Sequence, residues 1–172
     1  MLKKSCYLFV LCLSALIFLT GCLTSYEKKM AGSFYISKLT ISGKAVDVNE
    51  AFDGARIVLN NKRKFEINIV FDEAYLRSEV TADMIRDALD RVEKGKDHTR
   101  NVEEIIAYLG DGFRLTGKFT NNNGVPVFTA DNTSKKPSDY GFNKIDYDFN
   151  KDVLLIHSNK YIVADFEFTK IK

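Results

Sequence analysis

The clearest periodicity in the chain runs from Lys64 to Phe71, where Phe65, Ile67, Ile69 and Phe71 alternate with Lys64, Glu66 and Asn68. A period of two puts the apolar set on one face of a β-strand and the polar set on the other. The same alternation predicts a strand from Gly112 to Thr120 through Phe113, Leu115, Gly117 and Phe119, and another from Phe142 to Phe149 through Ile145, Tyr147 and Phe149. Between Gly32 and Val48 the apolar phase shifts. Phe34 and Ile36 alternate in one register and Leu39 and Ile41 in the other, which predicts a bulge near Ser37-Lys38. Ala45–Val48 extends this edge and residues 49–54 form a connection.

Shorter strands fall at 55–59, 125–130, 153–157 and 161–169, with hairpin turns at Asn60–Arg63, Asn121–Gly124, Asn150–Asp152 and Ser158–Lys160. Pro126 lacks a backbone donor, so its strand belongs at an edge, a strand start or a bulge. The period changes after Asp72. Val80, Met84, Ile85, Ala88, Leu89 and Val92 recur at helical spacing, with Ser78 or Thr81 as cap and Gly95 as stop. A second helix spans Asn101 to about Leu109, with Thr99 as cap and Val102, Ile105, Ile106 and Leu109 as its apolar face. The pattern predicts a mainly β domain over residues 32–172: eight antiparallel strands in meander order, with a helical pair (72–110) inserted between the third and fourth. Closure into a full or partial barrel would remove the exposed edges.

Upstream of this domain, Lys3 and Lys4 precede an apolar stretch from Tyr7 to Phe18, which is the pattern of a secretory leader. The stretch is short for the ~20 residues of a membrane-spanning helix. It ends in Leu19-Thr20-Gly21-Cys22, which resembles the bacterial lipoprotein signal L-[AST]-[GA]-C. The resemblance implies that residues 1–21 are removed and that Cys22 becomes the acylated first residue, with 22–31 as a short polar tether. It also implies an exported, membrane-anchored protein of the cell envelope. Leu23, in place of the Asp that retains some lipoproteins at the inner membrane, leans toward the outer membrane of a double-membraned cell.

A second resemblance lies at the start of the domain. Gly32-Ser33-Phe34 followed by Leu39-Thr40-Ile41-Ser42-Gly43-Lys44 is similar to the opening of bacterial lipocalin-like lipoproteins, which often read G-x-W and then x-x-G-K. Phe34 replaces the Trp, and the chain contains none. The resemblance implies a calycin-type barrel with an apolar interior. Phe65, Ile67, Ile69, Phe71, Phe113, Leu115 and Phe119 are then the candidate ligand-binding residues. Eight strands enclose space for either a packed core or one small ligand, and these residues suit both.

Composition narrows the partners. The chain carries 25 Lys+Arg and 23 Asp+Glu. Lys3 and Lys4 belong to the leader, so the rest is close to neutral and nucleic acid is a poor partner. Of three cysteines, Cys6 and Cys12 also lie in the leader, so after anchoring the domain has neither a disulfide nor a free thiol. Asp146-x-Asp148-x-Asn150-x-Asp152 resembles the first half of a calcium loop, but Lys151 replaces the turn glycine and His157 the closing Glu. Strand alternation explains the same spacing, and no metal is expected. His98 and His157 lack partners at ligand spacing, and no nucleophile motif or phosphate loop occurs. No catalytic residue and no cofactor are assigned. The expected partners are a membrane through Cys22 and either a small hydrophobic ligand or another envelope protein.

Overall fold

Alternation of buried and exposed positions runs through the long strands of the computed structural model, which describes residues 23–92, 94–122, 125–131, 141–159 and 163–171. Among the described residues the strands are β1 (Gly32–Ile41), β2 (Lys44–Val46), β3 (Phe52–Leu59), β4 (Lys64–Phe71), β5 (Phe113–Asn122), β6 (Val125–Ala130), β7 (Phe142–Asp148), β8 (Val153–Ser158) and β9 (Ala164–Lys170). The helices are α1 (Ser25–Met30), α2 (Val48–Ala51), α3 (Glu73–Leu76), α4 (Glu79–Val92) and α5 (Thr99–Gly110).

The eight long strands keep chain order around an antiparallel sheet, β6-β5-β4-β3-β1-β9-β8-β7, with short β2 added to β1. The first long strand pairs with the last, from Phe34 opposite Lys170 to Ile41 opposite Ala164. Among the described residues β6 and β7 approach each other without a hydrogen-bonded register, so the barrel is nearly closed, with a seam between them. In general terms this matches a calycin-type meander. The Pro-containing strand lies at that seam and pairs with β5. The register shift on β1 falls between Ile36 and Lys38, where the phase change predicts a bulge.

Inward side chains fill the barrel. Phe34, Ile57, Phe65, Ile67, Ile69, Phe113, Leu115, Phe119, Leu154, Ile156 and Phe168 are all buried in one connected core. Its rings meet mostly edge to face, as between Phe113 and Phe142 at 5.2 Å and between Phe65 and Phe128 at 5.1 Å. Two glycines are required by contact. At Gly117 a Cβ would overlap the Thr129 carbonyl oxygen. At Gly112 (φ +66°) it would lie 2.8 Å from the Ile69 oxygen, where the chain turns from α5 into β5.

Several local expectations differ from the structure. The polar tether is a helix: Thr24 caps α1, accepting from the Glu27 N–H while the Glu27 carboxylate accepts from the Thr24 N–H, and Met30 is fully buried. Residues 48–51 form α2, capped by Asp47, where the end of an edge and then a connection are expected, and β3 starts at Phe52, inside the expected connection. Val80 matches the helical spacing yet is exposed, because α4 packs mainly against α5 through Ile85. The last strand starts at Ala164; Tyr161 and Ile162, expected in it, lie outside the described residues.

Replacing Ile67 with Asp puts an unpaired carboxylate in the filled core and should unfold the domain, whereas Glu66→Ala, on the wet face, should shift stability by less than about 0.5 kcal/mol. Thermal melting of the two variants checks this; equal losses would contradict a strand buried on one face only.

Candidate functional site

The connections divide the barrel into two unlike ends. The apical end carries the β1–β2 turn, α2 and the helical segment 72–112. The basal end carries α1, the 60–63 and 149–152 turns and the end of β9. Each end is closed by helix, and each is a candidate site.

At the apical end, α5 lies across the barrel mouth. Ile105, Tyr108 and Leu109 face Leu39, Ile41, Phe71, Phe113 and Phe166 around a cavity of about 30 Å³, room for roughly one water. α4 packs outside α5 through Ile85, Val102 and Ile105. It is tied to the β1–β2 turn by Lys44–Asp87 at 2.7 Å and by the Arg91 guanidinium donating to the Ser42 oxygen at 2.6 Å. The hydrogen bond and charge of Lys44 hold the Asp87 carboxyl below its ordinary pKa. Beside the mouth, a groove of about 300 Å³ opens between α3 and α5, lined by Phe71, Leu76, Ile106, Ala107 and Gly110 with Glu73 and Arg77 at its rim. Its volume is at the lower limit for small-molecule pockets.

The seven predicted ligand-binding residues come together on the inner face of β4 and β5, with Ile67 opposite Leu115 and Ile69 opposite Phe113. All seven are buried. Phe71 and Phe113 reach the apical cavity; the other five lie among packed core side chains. Cys22 lies outside the described residues.

The calcium-like residues diverge. Asp146 turns to Lys144 at 2.6 Å, Asp148 accepts from the Asn150 and Lys151 N–H groups, and Asp152 accepts from the Tyr147 hydroxyl at 2.8 Å. His157 pairs with Asp165 at 2.6 Å, and buried His98 lies 3.1 Å from Asp90. Among the described residues no group of His, Cys, Asp and Glu has metal-binding geometry.

The basal end holds what the sequence reading missed. Glu27 is buried and receives the Arg63 guanidinium at 3.1 Å. Burial opposes its ionisation, but the Thr24 N–H, Arg63 and the Asn121 backbone together hold its pKa below the usual carboxylate range. Met30 enters the core, Tyr26 stacks edge-on against Phe149 at 5.1 Å, and the Lys29 and Lys170 ammonium groups donate to the Phe149 and Lys29 carbonyls. Inside this end, burial and then the Asp152 acceptor raise the Tyr147 phenol far above its ordinary pKa, so it stays a donor. The Thr24-x-x-Glu27 spacing is a capping box and was the available signal.

Because the Glu27 pKa is depressed on folding, its ion pair contributes stability that is complete above the unfolded value and is lost as pH falls through the folded one. Glu27→Gln should therefore cost about 1–2 kcal/mol near neutral pH, with the deficit shrinking as the pH falls below about 4. Melting curves across that range check the sign; a pH-independent deficit would mean that shape, not charge, holds α1 in place.

Compared with known proteins, the chain matches no family model, no curated protein and no solved structure. What it shows by itself is a nearly closed, mainly β barrel with a helical insert, in which no described helix is long and apolar enough to cross a membrane.

Proposed function

We propose that the chain is an exported lipoprotein, anchored to a membrane through Cys22, whose barrel serves as a rigid, non-enzymatic interaction module of the cell envelope. The observation that carries the module reading is the filled interior. Aromatic and branched side chains occupy the space a carried ligand would need, and α1 and α5 close the two ends. Such a barrel has value as a stiff body that holds its loops and helices at a fixed place beside a bilayer. The leader and Leu19-Thr20-Gly21-Cys22 support the anchor. Two or three acyl chains hold a protein stably, whereas one holds it marginally.

The groove between α3 and α5 favours a second reading, in which the domain accommodates a small hydrophobic ligand at its mouth. Phe71 lines both the groove and the cavity beneath α5, so a modest outward shift of α5 would join the two. In this reading the ligand site moves from the middle of the barrel to its rim.

Cys22→Ser should release the protein from the membrane fraction, and intact mass of wild type should show residues 1–21 removed and acyl mass on Cys22. Retention of Lys3 and Lys4 with an unmodified thiol would refute the anchor.

The two functional readings separate in lipid extracts of the gently purified protein and in titration with a fluorescent fatty acid. The module reading expects no bound lipid and no saturable uptake. Saturable uptake that Ile106→Trp abolishes, with the melting temperature unchanged, would replace it with the ligand reading.

A further inference from the structure

The basal end gathers chemistry that its separate sequence segments do not reveal. Lys28 on α1, Lys62 in the β3–β4 turn, Lys64 at the start of β4 and Lys151 in the β7–β8 turn are all exposed there. Three acidic groups of this end are engaged within the fold: Glu27 is buried against Arg63, Asp148 accepts from turn N–H groups and lies 3.9 Å from Lys151, and Asp152 accepts from Tyr147. Glu66 is exposed beside Lys64. Exposed lysines outnumber exposed carboxylates here, so the outward charge is net positive. Around it, Tyr26, Val125 and Ile171 are each more than half exposed. An aromatic and two aliphatic side chains among lysines is the composition of a surface that rests in a headgroup layer.

The opposite end has the reverse net sign. Residues 42–54 and 72–112 carry 14 Asp+Glu against 7 Lys+Arg, and although Asp83 and Glu104 pair with Arg86 and Arg100, Asp47, Glu50, Glu79 and Glu103 are also exposed there. With the whole close to neutral, the molecule is electrically polarised along the barrel axis.

We propose that the basal end is a membrane-contact surface that binds anionic lipid headgroups and holds the barrel upright, with the helical pair facing away from the bilayer. The placement rests on anchoring through Cys22; the surface itself rests on the residues above. Cys22 stands two residues before the Thr24 cap, so at most about 7 Å of extended chain separates the cysteine from the cap of α1. α1 is in turn fixed to the barrel by Met30 and by Glu27–Arg63. A lipid on Cys22 thus leaves no free linker, and the lysines of this end lie within about a Debye length of the headgroups. Each lysine there is worth about fivefold in affinity for an anionic surface.

The test uses the full chain as purified from membranes, reconstituted in phosphatidylcholine vesicles with or without phosphatidylglycerol, and read by backbone hydrogen exchange. Phosphatidylglycerol should slow exchange in Ser25–Met30 and in the 60–63 and 149–152 turns at least several-fold, and salt near ~1 M should remove the effect. The variant Lys28→Glu/Lys62→Glu/Lys151→Glu, with its melting temperature checked against wild type, should lose it too. The salt arm needs no variant and keeps the test valid if the triple variant misfolds. Equal exchange in both vesicles, or added protection on α4 and α5, would overturn the proposal. Intact mass of the same sample reports the anchor separately. If Cys22 proves unmodified, the anchor reading falls, while phosphatidylglycerol-dependent protection of the three segments still upholds the surface and its absence overturns it.

Discussion

Phe113 packs behind the place where, among the described residues, two neighbouring strands of the barrel share no backbone ladder. The sheet is a continuous ladder from β6 round to β7 and stops there, leaving two strand edges side by side. Phe113, at the apical end of β5, meets Phe142 of β7 at 5.2 Å and Phe166 of β9 at 6.4 Å, crossing the interior behind that seam. It also meets Phe71 of β4 at 5.9 Å and Tyr108 of α5 at 5.7 Å. One ring therefore couples the two sides of the seam to each other and to the helix over the mouth. Side-chain packing at this point takes over the work that a ladder performs elsewhere, and a truncated ring would cost on the order of 3–5 kcal/mol. The rings that fill this end of the barrel thus also help to close it.

The two ends then diverge in their physics. The apical closure is apolar beneath α5, with an exposed ion pair tying α4 to the β1–β2 turn; such pairs are worth little. The basal closure is smaller, but two of its polar contacts are partly buried, a carboxylate with three kinds of partner and a phenol with an acceptor, and they sit beside a methionine in the core. A six-residue helix is not stable alone, so α1 exists because these contacts hold it. The end with the buried carboxylate carries α1, and the end with the groove carries the helical pair.

How far this was legible in sequence follows from the range of the interactions. β4 reads cleanly because one of its faces is wet, and the bulge on β1 reads as a phase shift between Ile36 and Leu39. The helical pair reads from its period, although Val80 shows that spacing alone does not establish burial; only packing against α5 decides which stripe is covered. α1 and α2 were not legible as helices because they are too short for periodicity. Their capping residues, Thr24 and Asp47, were visible but look like ordinary polar positions. The basal lysines are scattered from 28 to 151, and no local pattern joins them; the meander topology does. The seven interior residues were legible as a set because they lie on two adjacent strands, but whether they enclose space or fill it depends on the strands across the barrel.

The pairing of the first long strand with the last has a consequence for the order in which the molecule is made. Ser37 donates to the Glu167 carbonyl across 130 residues, and Lys170 donates to the Lys29 carbonyl across 141. Until β9 has been synthesised, β1 lacks one of its neighbours and α1 lacks part of its docking site. Such long-range closure is slow, because the entropy of the intervening chain must be overcome before any contact rewards it. During translation, Leu23–Met30 is therefore the first part of the domain to be made and among the last to settle. Throughout that interval Ser25–Met30 has no finished barrel to dock against, and six residues do not hold a helix by themselves.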